Sequence, residues 1–195
     1  MEKQYRSFNG TVENTNDGES RLVSGYAIRF NEPSQNMGFV ETIEQGALTQ
    51  DIIDKSDIYA KLNHRDDAIL ARSRYGKGSL SLELRNDGLY YCFDIPKTQW
   101  GDELLEHLKR GEISTSSFAF TVANDGERWF KGDDGILKRT ITRFDRLFDV
   151  SPTYEAAYLT TSCNTRNMDE VEKIKAKSKE IDEKMNSLKD KLEAL

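Results

Sequence analysis

A chain of 195 residues suits one domain plus an appendage. Its 36% hydrophobic and 32% charged residues allow a modest core, and a net charge of −6 excludes a protein that grips nucleic acid through its phosphates. No apolar run approaches the roughly 20 residues that span a bilayer, and residues 1–6 lack the apolar stretch of a secretory signal. The two cysteines, Cys92 and Cys163, lie far apart and fit a reducing, cytoplasmic setting better than a disulfide scaffold. Together with only two histidines they make no zinc pattern.

Residues 1–20 are rich in Asn, Asp, Glu and Gly and read as a loose arm. Residues 21–30 alternate in part, with Leu22, Tyr26, Ile28 and Phe30 on one parity, and form a first strand. The run Asn31-Glu32-Pro33-Ser34 breaks it. Extended structure resumes over 39–43, and a short helical segment after Gly46 ends near Lys55. Residues 58–62 alternate again and leave Asn63 and His64 at a strand end. Gly76 and Gly78 mark a hairpin, and Leu80, Leu82 and Leu84 alternate with polar neighbours as in a half-buried strand. Asn86-Asp87-Gly88 turns the chain into another strand over 89–95.

Residues 102–110 carry Leu104, Leu105 and Leu108 at helical spacing, with Gly111 as the stop. The next strand organises the chain. Ser116, Phe118, Phe120 and Val122 share one face, the expected core, while Ile113, Thr115, Ser117, Ala119 and Thr121 share the other. Ser117 thus sits among small neighbours, opposite two phenylalanines that pin the strand, with open space expected before its hydroxyl. A hairpin across Asp133-Asp134-Gly135 and an extended segment over 144–150 follow. From Asp169 onward there is no Gly or Pro. Val171, Ile174, Ser178, Ile181, Met185, Leu188, Leu192 and Leu195 fall at spacings of three and four, the a/d pattern of a coiled-coil seam.

A serine hydroxyl is a weak nucleophile and needs a base within hydrogen-bond reach. Imidazole suits because its pKa lies near the working pH. His107 lies in the charged helix and reads as a surface residue, so His64 is the candidate base. A third group would fix its tautomer. Glu127, Asp133, Asp134, Asp145, Asp149 and Glu155 all follow the serine, and spacing does not choose among them. Cys163 with His64 is a weaker alternative, since Cys163 lies in a polar stretch suited to an inert thiol. No Gly-rich phosphate loop or metal-spaced carboxylate cluster occurs, so neither cofactor nor metal is expected.

Several stretches in order carry a resemblance. They are Gly25-Tyr26-Ala27, Phe30-Asn31, Gly38-Phe39-Val40-Glu41-Thr42-Ile43, Gly46-Ala47, Asn63-His64 and Gly78-Ser79-Leu80. They continue with Asp87-Gly88-Leu89, Thr98-Gln99-Trp100-Gly101, Arg110-Gly111-Glu112-Ile113-Ser114, Ser117-Phe118-Ala119-Phe120 and Asp149-Val150-Ser151-Pro152. Over about residues 20–166 the chain resembles the caudovirus prohead serine proteases, which are similar to herpesvirus assemblins. The resemblance implies an α+β fold, a mostly antiparallel β-barrel flanked by short helices. It implies a serine endopeptidase that cleaves scaffold, or the scaffold-like extension of the capsid protein, inside the immature procapsid in the host cytoplasm. By position, His64 matches the family histidine and Ser117 the serine before Phe-x-Phe. Asp149 is the chosen third member and Glu155 the reserve.

Two departures stand out. Thr115 and Ser116 replace the glycine and methionine common before the serine, which makes Ser116 a neighbouring decoy on the Phe face. Glu155-Ala156-Ala157 stands where the family has proline-alanine. The expected organisation is an arm (1–20), a protease domain (21–166) and an amphipathic helix (167–195), with scaffold binding or self-association through 169–195. A non-enzymatic barrel serving as an assembly module of the virion is the alternative. It would share the fold and lack the pairing of Ser117 with His64.

Overall fold

Alternating apolar and polar residues dominate the chain, and strands dominate the fold. The computed structural model describes residues 2–8, 12–14 and 21–154, with 176–177, 179–181, 183–185, 187 and 191 of the tail. In chain order these are β1 (Gln4–Phe8), β2 (Val12–Asn14), β3 (Leu22–Arg29), β4 (Val40–Ile43), α1 (Gln50–Lys55), β5 (Asp57–Lys61), β6 (Ile69–Arg74) and β7 (Lys77–Gly78). There follow β8 (Ser81–Arg85), β9 (Gly88–Asp94), α2 (Gln99–Lys109), β10 (Ile113–Val122), β11 (Glu127–Lys131), β12 (Leu137–Ile141) and β13 (Phe144–Tyr154).

The strands form three sheets, in the orders β1-β10-β13-β5-β6-β7, β2-β3-β9-β8 and β11-β12-β4. Pairing is antiparallel except for β12 with β4 and β13 with β5. This corrects the expected barrel. A barrel closes only when its first and last strands pair, whereas β1 and β7 end the largest sheet. Residues 4–8, expected in a loose arm, form one of those edges, because β10 offers them a free row of main-chain donors and acceptors.

Packing explains where parity succeeds. Phe118 and Phe120 are fully buried, and Phe120 stacks on Phe144 with ring centroids 4.7 Å apart. Burying such rings supplies the largest single contributions to a core. In β3 and the residue after it, the parity reading holds for Ile28 and Phe30, which are buried, and fails for Leu22 and Tyr26. Before Ile28 the buried apolar positions are Val23 and Ala27, because a register shift opposite Leu89 and Tyr90 moves the inward positions by one residue. Helix α2 starts at Thr98, whose hydroxyl accepts from the Gly101 amide at 3.2 Å. A side chain at position 101 would meet the Pro96 carbonyl oxygen at 2.0 Å, so the first turn demands glycine there.

The tail differs from expectation. Its described residues are helical, but a coiled coil is not supported. A seam needs a second helix facing it, and α1 and α2 pack instead on β13 and β10. Of the seam positions only Ile181 and Met185 lie among residues whose side chains are described, and Met185 is exposed.

Candidate active site

The order β10-β13-β5 brings three sequence-distant residues together. Ser117 lies at the centre of β10, opposite Ser151 of β13, and Asp149 lies two residues earlier on that neighbour, opposite Ala119. His64 follows the end of β5, the next strand across. A tight loop aims it back at the sheet. Leu62 is buried, its amide bonds the Ala68 carbonyl at 3.0 Å, and Lys61 holds Asp66 at 2.6 Å. Asn63 (φ 51°, ψ 42°) and His64 (φ 60°) both adopt the left-handed conformation, which non-glycine residues seldom take. Two such residues in succession reverse the chain and mark a place where surrounding structure holds strain, as functional sites often do.

His64 Nε2 lies 2.6 Å from Ser117 Oγ, and His64 Nδ1 lies 2.6 Å from Asp149 Oδ1. Asp149 is wholly buried, and the Ser151 hydroxyl donates to its Oδ1 at 2.9 Å. Burial works to raise the Asp149 carboxyl. The hydrogen bond and charge of His64, the Ser151 hydroxyl and the Lys3 ammonium outweigh it, and the carboxyl titrates below its ordinary value. It is therefore an anion facing the imidazole.

The other sequence candidates lie elsewhere. Ser116 points to the opposite face, fully buried, where its hydroxyl meets the Tyr91 hydroxyl at 2.8 Å. His107 binds Glu112 at 2.6 Å and the Tyr154 hydroxyl at 3.1 Å. Asp145 accepts from the Thr121 hydroxyl, and Glu127 from Arg139. Glu155 and Cys163 lie outside the described residues. Among the described residues no group of three or more His, Cys, Asp or Glu is arranged to hold a metal ion.

The open space expected before Ser117 is absent. Ser117 is 1% exposed, because β1 pairs along β10 and covers it. Three residues of that segment went unread in the sequence: Lys3 near Asp149, Tyr5 against His64, and Arg6, whose carbonyl faces Ser117. No apolar alternation marks residues 2–8, so pattern reading had nothing to find there.

A hydroxyl, an imidazole and a buried carboxylate in line form the constellation of serine hydrolases. The family model for the caudovirus prohead serine proteases matches residues 9–174, and the chain belongs to that family of serine peptidases. No curated protein sequence is detectably similar to the chain. Among solved structures, the fold is similar to that of the bacteriophage T4 capsid assembly protease. The TM-score is 0.52 and the identity 11%, over 78% of this chain and 98% of that one.

Proposed function

We propose that this peptidase cleaves scaffold, or the scaffold-like extension of the capsid precursor, inside the immature procapsid in the host cytoplasm, with Ser117 as nucleophile, His64 as base and Asp149 as the group that orients it. One observation carries the assignment of roles: His64 bridges Ser117 Oγ and Asp149 Oδ1 at 2.6 Å each. With Nδ1–H donated to Asp149, Nε2 is free to accept the serine proton.

Ser117 Oγ attacks the scissile carbonyl carbon as its proton passes to Nε2. Asp149 stabilises the imidazolium so formed. As the tetrahedral intermediate collapses, Nε2–H protonates the departing amine and the C–N bond breaks. Water, giving its proton to the same nitrogen, then hydrolyses the acyl-enzyme. Strand-borne positions suit this chemistry, because small displacements of reacting groups cost large factors in rate.

Ser117→Ala is expected to abolish cleavage of co-expressed capsid precursor while keeping the native circular-dichroism spectrum, whereas Ser116→Ala retains cleavage. Activity in Ser117→Ala would refute the assignment. The same reading gives residues 169–195 a docking role toward scaffold. Their deletion is then expected to spare hydrolysis of a short peptide and to lower the number of copies packaged per procapsid, and normal packaging would remove that role.

A further inference from the structure

One strand touches all three members of the site and has no part in the chemistry above. The Arg6 carbonyl oxygen accepts a hydrogen bond from Ser117 Oγ at 2.7 Å. The Tyr5 ring lies edge-on to the His64 ring at 4.8 Å. The Lys3 ammonium lies 3.6 Å from Asp149 Oδ2, a buried oxygen with no hydrogen-bond partner among the described residues. All three belong to β1 or the residue before it, at the outer edge of the large sheet, with Ser7 opposite Ser117.

Two consequences follow for catalysis. With Ser117 1% exposed, a peptide cannot reach its hydroxyl until β1 moves. The hydroxyl also has one proton, and the Arg6 carbonyl competes for it with His64 Nε2. The Arg6 carbonyl presents its oxygen as an acceptor, so β1 plugs the site without being poised for attack.

An extended peptide joins a sheet edge through main-chain hydrogen bonds and is selected by pockets for alternate side chains. β1 displays one such pocket. Arg6 Nε donates to Glu41 Oε1 at 2.8 Å and its Nη2 to Oε2 at 3.2 Å, with the Phe39 ring centroid 5.8 Å from the guanidinium carbon. Glu41 is 3% exposed. Arg139 also reaches Glu41 Oε2, but it is shared with Glu127. A buried carboxylate missing a cationic partner is strongly unfavourable, so the pocket demands a second cation. The planar guanidinium, which meets both carboxylate oxygens, suits it better than an ammonium.

We propose that β1 is an internal pseudosubstrate. It holds the edge of β10 on which a substrate strand docks, and Glu41 selects a basic side chain, arginine above lysine, at the position Arg6 fills. This rests on Ser117 being the nucleophile.

A fluorophosphonate probe, which labels activated serines, tests it on the full chain. Wild type is expected to label slowly. Arg6→Ala is expected to label at least tenfold faster. Tyr5→Ala, which spares the buried ion pair and removes only the cover on His64, is expected to accelerate labelling too. A heptapeptide of residues 2–8 should protect the Arg6→Ala protein, and the same peptide with Glu in place of Arg6 should not. Adding Glu41→Gln should weaken protection at least tenfold. Equal labelling of wild type and both variants, or protection indifferent to the arginine, would overturn the pseudosubstrate. Labelling that persists in Ser117→Ala would instead overturn the nucleophile.

Discussion

Asp149 has the most demanding environment of any residue in the site. Buried, it stays ionised only because His64, Ser151 and Lys3 compensate it. Its folded carboxyl titrates below the unfolded value near about 3.9. Its contribution to stability is therefore complete above that value and is lost as pH falls through the lower folded one. Acid unfolding followed by circular dichroism is expected to begin below about pH 4, and Asp149→Asn to flatten part of that limb. The same substitution is expected to cost on the order of 10⁴ in kcat, because an amide holds the wrong imidazole tautomer. Ser151→Ala removes one donor and leaves the carboxylate in place, so its loss in kcat is expected to be far smaller. On the other face, Ser116→Ala orphans the buried Tyr91 hydroxyl and is expected to cost about 1–3 kcal/mol in urea denaturation.

The loop over 62–68 and strand β10 divide the work of positioning. β10 is held by packing: Phe120→Ala is expected to cost about 3–5 kcal/mol, since Phe118 and Phe144 cannot collapse into the space. The loop is held against its own backbone preference. Asn63 tolerates the left-handed conformation better than a β-branched residue does. Asn63→Val is expected to destabilise the fold by about 1–3 kcal/mol and to lower kcat by turning His64 away, whereas Asn63→Gly keeps both.

Much of this was legible before the structure. Strand parity separated Ser117 from Ser116, and the end of an alternating run located His64, because period-2 burial leaves a direct mark on sequence. Asp149 was reachable only through family resemblance, since many carboxylates follow the serine and a sheet order such as β10-β13-β5 leaves no local signature. The bulge in β3 hid the true inward set there. β1 was invisible because residues 3–7, Lys, Gln, Tyr, Arg and Ser, carry no apolar alternation and are held by main-chain pairing and the ion pairs of Lys3 with Asp149 and Arg6 with Glu41.

Across the whole molecule, the small sheet of β11, β12 and β4 is tied to the large one by charge. Arg139 joins Glu41, Glu127 and the Gln4 side chain, and Arg6 completes the cluster. Arg139→Ala takes the guanidinium from Glu127 and leaves the buried Glu41 with Arg6 alone, and is expected to cost about 3–5 kcal/mol by urea denaturation.

The strand order has a further outcome during synthesis. His64 and Asp149 are 85 residues apart, and Arg6 and Ser117 are 111 apart. At roughly 5–20 residues per second, a ribosome needs about 4–17 s to travel from His64 to Asp149. Throughout that interval the nascent chain holds a histidine, and later a serine, with no carboxylate from β13 to align them. The N-terminal strand, by contrast, is already waiting when its partner emerges. A newly made molecule therefore meets the strand we propose as its plug before it acquires the carboxylate that aligns His64.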